Sequence, residues 1–335
     1  MKTDGNLVLV TGGAGFIGSH LVRQLLERGA SVRVLELPQA RVSHLPVDQI
    51  EICRADIRDR TAVEQAVRGC GEVYHLAANP NLWTQRRGLF RQVNFLGAVH
   101  VLEAARAAGV RRILHTSTES ILTRVRQDGP IAEDQNVSIR DVVGPYCRSK
   151  FFAERHALRL ARAGAPLVIV NPTLPVGPGD FGRSPPTRMI LDFCRGKRRE
   201  YLDAELNLID VRDVAGGMIR AMERGRPGQR YLLGHENLSI QEVFRILAGL
   251  TGLPEPRWRV PYGVALAAAY TSELIADLVT HTMPAATVTG VKLTRRVMHF
   301  NARRSLEELQ LRPRPVLESL RDALAWFRSV GWLPA

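Results

Sequence analysis

Residues 7–22 read LVLVTGGAGFIGSHLV. The apolar run Leu7–Val10 breaks into glycines, and a helical pattern begins directly behind them. The turn Thr11–Gly18 holds Gly12-x-x-Gly15-x-x-Gly18 and, overlapping it, Gly13-x-Gly15-x-x-Gly18. Glycine admits positive φ in such a turn and lets the backbone approach a pyrophosphate closely. The last glycine lets the next helix pack on the strand, with its N-terminus facing the phosphates. A glycine triplet alone is weak evidence. Here an apolar strand precedes it, an amphipathic helix follows, and an acidic residue, Glu36, lies about twenty positions on. That context predicts a dinucleotide site in which Gly12, Gly15, Phe16, Ile17 and Gly18 face the cofactor.

Glu36 also bears on which dinucleotide binds. A carboxylate at the end of the second strand accepts hydrogen bonds from ribose hydroxyls and repels a 2′-phosphate. This favours NAD over NADP, with Arg41, five residues on, as the side chain able to offset it. Asp56 and Ile57, after the third strand, are placed to hold an adenine edge.

Outward from the turn, short apolar runs alternate with amphipathic stretches. Leu7–Val10, Ser31–Glu36, Ile50–Cys53, Glu72–His75, Ile113–Thr116 and Leu167–Val170 read as buried strands. Ser19–Arg28, Thr61–Val67 and Gly97–Ala108 read as helices between them. Strands apolar throughout, alternating with helices, predict a parallel sheet covered on both faces. The fold class is α/β, a Rossmann-type doubly wound parallel sheet with a smaller C-terminal substrate-binding region. The expected boundaries are 1–176 for the dinucleotide-binding domain, with a returning segment near 205–235, and 177–204 plus 236–330 for the substrate region. Arg230–Leu233 is the candidate strand returning to the sheet, and Ala265–Val279 and Leu306–Phe327 read as largely helical.

Bulk composition excludes several classes. The chain has 335 residues, 45% of them hydrophobic and 24% charged, as in an ordinary globular protein. No stretch reaches the roughly 18 uninterrupted apolar residues of a spanning helix, and the N-terminus lacks a signal-peptide layout. Cys53, Cys70, Cys147 and Cys194 lack metal-site spacing and read as reduced thiols of a cytoplasmic protein, with no metal expected. The net charge of +13 is spread along the chain without interleaved aromatics, which argues against nucleic acid. It leaves solvated helix faces as the plain reading, and an anionic substrate or membrane surface as the sharper one.

A second constellation lies downstream in GPYCRSKFFAERHAL, where Tyr146 and Lys150 stand four apart and share one helix face. A neighbouring ammonium is expected to lower the phenol's pKa, making Tyr146 a proton-transfer group near neutral pH. The pair follows LHTSTES, a strand ending in hydroxyl residues, and strand ends of this kind line the ligand crevice. His75 ends an apolar strand and reads as a core or cofactor-loop histidine. Trp83 reads as substrate-facing, and Arg195–Glu200 (RGKRRE) as a phosphate grip or a solvated helix end.

The pieces VTGGAGFIGSHLV, RADIRD, VYHLAA, VNFLGAVHVLEAA, HTST, YCRSKFFAE and NPTLPVGPGD stand in one order over residues 7–180. In them the chain resembles the extended short-chain dehydrogenase/reductases, which include sugar-nucleotide epimerases, dihydroflavonol reductases and 3β-hydroxysteroid dehydrogenases. The resemblance implies that Thr118 orders the substrate oxygen, Tyr146 transfers the proton, Lys150 holds the nicotinamide ribose and Asn94 supports them. It places Ala77, Ala78 and Pro172 against the cofactor, and Glu119 and Ser120 near the substrate. APLVIVNPTLPVGPGD, the stretch around NLIDVRDVAGG and RYLLGHENLSIQEVF resemble the hopanoid-associated sugar epimerases within that group. Two positions depart from it: Glu36 stands where an apolar residue followed by arginine is expected, and Asp210 where many members have histidine or tyrosine.

The resemblance implies hydride chemistry at a secondary alcohol and leaves epimerase and dehydrogenase or reductase outcomes open. Dehydration is disfavoured, because Thr118 is followed by Glu119 and Ser120 where dehydratases carry an Asp-Glu pair. A non-catalytic NAD(P)-binding sensor is the rival of another class, and retention of Thr118, Tyr146 and Lys150 argues against it. Relatives pair the helix carrying Tyr146 with a second subunit, which implies a homodimer; the run FFAERHALRLA agrees, being more apolar than one sheet face requires. For substrate, WRVPYGVALAAAYTSELIADLVTHTM (258–283) places Trp258, Tyr262, Leu266, Tyr270, Leu274 and Leu278 at helical spacing, with Arg295, Arg296, Arg303 and Arg304 after it. This suggests a small-molecule or lipid substrate, a hydroxyl on a hopanoid, sterol-like or sugar-bearing lipid, reached by transient contact with the inner membrane face. A nucleotide-sugar without lipid is the alternative.

Overall fold

The computed structural model describes residues 7–125, 129–197 and 199–334. The strands are β1 (Leu7–Thr11), β2 (Ser31–Glu36), β3 (Ile50–Arg54), β4 (Glu72–His75), β5 (Arg112–Thr116), β6 (Leu167–Pro172), β7 (Leu174–Val176), β8 (Glu200–Tyr201), β9 (Glu205–Asp210), β10 (Arg230–Leu233), β11 (Glu236–Ser239) and β12 (Trp258–Arg259). The helices are α1 (Phe16–Glu27), α2 (Arg60–Val67), α3 (Gly88–Phe90), α4 (Ala98–Ala107), α5 (Gly144–Arg162), α6 (Pro185–Cys194), α7 (Val211–Arg224), α8 (Ile240–Thr251), α9 (Tyr262–Ile275), α10 (Val288–Leu293), α11 (Arg303–Glu308) and α12 (Val316–Ser329).

Seven strands form one sheet in the order β10-β6-β5-β4-β1-β2-β3. All its pairings are parallel. Alternate residues of each strand feed two cores, which is why the strands are apolar without a polar face. Val8, Val10, Val32, Val34 and Val168 pack with Leu21 and Leu25 of α1 and Met218 of α7. On the other face, Leu9, Leu35, Val73, Ile113 and Ile169 pack with Val63, Leu102 and Leu160 of α2, α4 and α5. The chain runs outward through β2 and β3, then reverses to β4 on the opposite side of β1. In open sheets of this kind the ligand site falls outside the carboxyl ends of the strands where such a reversal occurs, here between β1 and β4. Arg230–Leu233 returns to the sheet edge beside β6, as the sequence suggested.

A three-stranded sheet, β11-β9-β7, carries α6, α8 and α12 over a third core that includes Phe193, Leu208, Phe244, Leu320 and Phe327. Asp210, one of the two departures from the family pattern, caps α7 through the Arg212 amide and pairs with the guanidinium groups of Arg212 and Arg314. Against the opposing effect of burial, Arg212, through its guanidinium and amide, and Ser319 hold its carboxyl below the usual range.

Three expectations need correction. Leu306–Phe327 is two helices: α11 stops at Glu308, Gln310 turns to φ 53°, and α12 begins after Pro315. Pro313 and Pro315 lack the amide hydrogens a continuous helix would need. Upstream of α4, a π-helical stretch Arg91–Gly97 joins α3 to α4, so helix begins well before Gly97. The wider π turn shifts the apolar spacing away from 3.6 residues and hides it from a periodicity argument. Finally, α9 runs on through a π turn, Ala276–Thr280, into one helix of 19 residues, long and apolar enough by composition to cross a bilayer.

Candidate active site

The glycine turn is shaped by contacts that leave no room for side chains. Gly12 has φ 74° and donates its amide to Leu35 O at 3.0 Å. A Cβ on Gly12 would lie 2.8 Å from the backbone nitrogen of Ala77, and one on Gly18 would lie 2.2 Å from Gly12 O. The turn is thus pressed between β2 and the loop leaving β4, and α1 starts directly upon it. Gly15 caps α1 without a side-chain bond, so the helix's first amides remain available to an anion at the crevice. Phe16 and Ile17, half-buried, form its first turn. This backbone cradle fits a dinucleotide pyrophosphate.

Glu36 Oε1 accepts the Ala14 amide at 2.8 Å and Oε2 accepts that of Leu37 at 3.3 Å. Burial raises its pKa, and the two amides pull it back. An ionised carboxylate has about four acceptor sites, so two remain for ribose hydroxyls. Arg41 does not counter it: its guanidinium lies over the Phe181 ring at 5.6 Å and donates to Ser43 Oγ. Asp56 is closed on Arg58, accepting its amide at 2.8 Å and its guanidinium at 2.7 Å, which holds the carboxyl low. Ile57 is buried against Gly97, and its carbonyl meets His100 Nδ1 at 3.1 Å.

Thr11 organises the loop after β4. Its hydroxyl accepts from the amides of Leu76 and Ala77, each at 3.2 Å, and so is left to donate to His75 Nδ1 at 2.8 Å. His75 stacks on His115 with centroids 5.5 Å apart. Burial first, then the charge of Lys150, drives His75 down to about 3 and His115 well below its usual value, so both rings are neutral. His75 is therefore part of the cofactor-side core, as its strand-end position suggested. Ala77 and Ala78 follow it, half-buried, and Pro172 is buried at the end of β6.

β5 ends at Thr116, and Thr118 caps the short turn behind it. Thr118 Oγ1 lies 2.7 Å from Glu119 Oε2 and 3.0 Å from Ser120 Oγ. Gly144, at φ 68°, turns the chain into α5, where Tyr146 and Lys150 follow one turn apart. Lys150 Nζ donates to Thr116 O at 2.6 Å, and burial brings its pKa down to about 8. The structure thus brings Thr118, Tyr146 and Lys150 together between β5 and α5. One expectation is corrected. Burial, reinforced by Cys147 and Glu119, raises the Tyr146 pKa, and Lys150 is not among the groups acting on it. Tyr146 is a protonated phenol at neutral pH. Burial also lifts Glu119 to about 7, only partly offset by the Thr118 hydroxyl.

Asn94 accepts the Asn79 amide at 2.7 Å and donates to Asn79 O and Ser149 Oγ, each at 3.1 Å. It ties the loop after β4 to α5. Three contributors were missed from sequence. Asn171 donates to Thr118 O at 3.0 Å and to Glu154 Oε2 at 2.8 Å, and Glu154 accepts Arg230 Nε at 2.7 Å. This buried chain runs from the returning strand to the Thr118 backbone. A polar residue inside VIVNP, and a glutamate four places after Lys150, were the available signals.

Two candidates leave the site. Trp83 is 6% exposed, and its indole donates to Asp277 Oδ1 at 3.1 Å, so it faces α9 and not the substrate. Of the arginine run, Arg195 donates to Trp332 O at 3.2 Å, while Arg198 lies outside the described residues.

Residues 8–234 match the NAD dependent epimerase/dehydratase family. A Synechocystis sp. protein provisionally named a dihydroflavonol 4-reductase is 37% identical over 97% of this chain and 95% of its own. Sterol demethylase protein B of Methylococcus capsulatus is 33% identical over 97% of this chain and 99% of its own. The crystal structure of gox2253 superposes with a TM-score of 0.86 at 34% identity, covering 98% of this chain and 99% of that one. The chain belongs to the NAD-dependent epimerase/dehydratase family, within the extended short-chain dehydrogenase/reductases. It is an enzyme and its cofactor is NAD, which sets aside the sensor reading.

Proposed function

We propose that the protein is an NAD-dependent reductase or dehydrogenase interconverting a ketone and a secondary alcohol on a hydrophobic polycyclic lipid. The observation that carries this reading is the placement of Thr118, just past the end of β5, beside the helix that carries Tyr146 and, one turn on, the buried Lys150 held on Thr116 O at 2.6 Å. Bound nicotinamide supplies or takes up the hydride. Thr118 and Tyr146 hold the substrate oxygen between them. In the reductive direction Tyr146 gives its proton to that oxygen as the carbonyl carbon becomes a carbinol, and Lys150 holds the nicotinamide ribose that carries the hydride. Lys150 is fixed for this by the Thr116 carbonyl, and Thr118 by the amide of Asn171.

Two relatives covering nearly the whole chain carry names of a flavonoid reductase and of a sterol-modifying protein, which supports a fused-ring substrate over a nucleotide-sugar. An epimerase would use the same residues but release no reduced cofactor. The protein is further read as a cytoplasmic homodimer paired through α5, whose Phe152 stays 47% exposed against the ring of Phe95. The test is a screen of sterol and hopanoid ketones with NADH, their alcohols with NAD⁺, and UDP-sugars with either. Turnover of a fused-ring ketone supports the reading; epimerisation of UDP-sugars alone, with no net change in NADH, overturns it.

A further inference from the structure

Helix α9 and its π extension are inside-out. Between Tyr262 and Thr280 the ionisable acids are Glu273 and Asp277. Both turn toward the protein, where Arg87 donates to Glu273 at 3.2 Å and to Asp277 at 3.0 Å, and Trp83 donates to Asp277. The buried apolar residues of the segment are small, Ala269 and Ala276. Its large apolar side chains point to solvent: Leu274 is 58% exposed, and Leu278 and Val279 each 70%. Val264, Tyr270 and Ile275 extend the same surface. A helix serving a water-soluble fold places these groups the other way round.

The rim identifies the occupant. Lys292 lies over the Tyr270 ring at 5.6 Å and Arg295 over that of Tyr262 at 4.7 Å. Trp258, 73% exposed, stands between the exposed Arg257 and Arg259 just before the helix. An apolar face bordered by tyrosine, tryptophan and cations, in a chain of net charge +13, matches the layering of an anionic bilayer surface. A second copy would set these like charges against each other. At 19 residues the helix is about 28 Å long, but its tether to Arg87 and Trp83 holds one side against the protein along its second half. That arrangement suits a helix lying along a membrane surface and not one crossing it.

We infer that α9 is a monotopic membrane-docking helix for an anionic lipid surface, set at the mouth of the active site. Its anchors Trp83 and Arg87 belong to the loop that leaves β4 with Ala77. The next helix, α10, presses Thr289 on Gly144, where α5 begins; a Cβ there would meet Thr289 Oγ1 at 2.4 Å. A docked α9 thus places the cofactor-side loop and the start of the Tyr146 helix at the lipid surface. This holds whichever alcohol the site takes, so failure here leaves the substrate reading standing.

The test is sedimentation of the NAD-loaded full chain with phosphatidylcholine vesicles, plain or containing roughly a third phosphatidylglycerol. The expected result is binding to the anionic vesicles, weakened by about 0.5 M salt, with a blue shift of Trp258 fluorescence that Trp258→Phe lacks. Leu274→Glu with Leu278→Glu should weaken binding at least about tenfold, while keeping the thermal shift on adding NAD that certifies an intact fold. No binding to anionic vesicles, or equal binding by the double variant, overturns the inference. So does a wild-type oligomer that the double variant breaks to monomer without any vesicle binding, since a second copy would then be the occupant.

Discussion

At the scale of the residue, the site separates binding from chemistry. Tyr146→Phe keeps the ring that packs against Phe90 but removes the proton. Turnover should fall at least about a hundredfold while NAD affinity, measured by calorimetry, stays within a factor of two or so. Glu36→Ala should narrow the preference for NAD over NADP, because the carboxylate that faces a 2′-phosphate is gone while Arg41 stays on Phe181. Comparable affinity ratios in the two proteins would contradict that role. Glu119 makes a prediction about stability. Its folded pKa of about 7 exceeds the ordinary 4.5, so the native state binds more protons between those values and stability falls as pH rises through that window. The loss is about 3 kcal/mol at most. Glu119→Gln should therefore flatten the melting temperature over this range, and an unchanged slope would show that another group titrates. The polar roles legible in sequence were those with a fixed spacing, such as Tyr146 to Lys150. Asn171 was missed and Trp83 misread because their partners, Thr118 O and Asp277, are 53 and 194 residues away in the chain.

At the scale of the element, the glycine turn is the most constrained part of the molecule. Gly18→Ala would drive a methyl group to 2.2 Å from a backbone oxygen that has nowhere to move. It should lower stability by about 1–3 kcal/mol and abolish the thermal shift on adding NAD; a variant that still responds to NAD would refute the cradle. The strands were legible because burial on both faces leaves them apolar from end to end, and the helices because one stripe packs on the sheet. Where that logic lapses, so did the reading. The π-helical Arg91–Gly97 breaks the 3.6-residue spacing, and Gln310 with Pro313 and Pro315 splits a pattern that looked continuous. The direction in which α9 points its apolar residues could not be read at all, since periodicity gives a face but not what the face meets.

At the scale of the whole molecule, the strand order puts the glycine turn, the loop after β4 and the end of β5 side by side at the carboxyl ends of the central strands. The returning strand β10 closes that sheet and sends Arg230 to Glu154, so residues far apart in sequence stiffen one site. Phe152 and Phe95 leave an apolar patch on α5 and its neighbour, and light scattering at micromolar concentration should give the mass of a dimer; a clean monomer would refute that pairing. Proton-coupled hydride transfer to a hydrophobic ketone is tested most directly by NADH consumption with a fused-ring lipid ketone, paired with chromatography of the product. One alcohol is expected for each NADH consumed by the wild type, and none from Tyr146→Phe. Undiminished turnover by Tyr146→Phe, or epimerisation of UDP-sugars with no lipid ketone reduced, would contradict it.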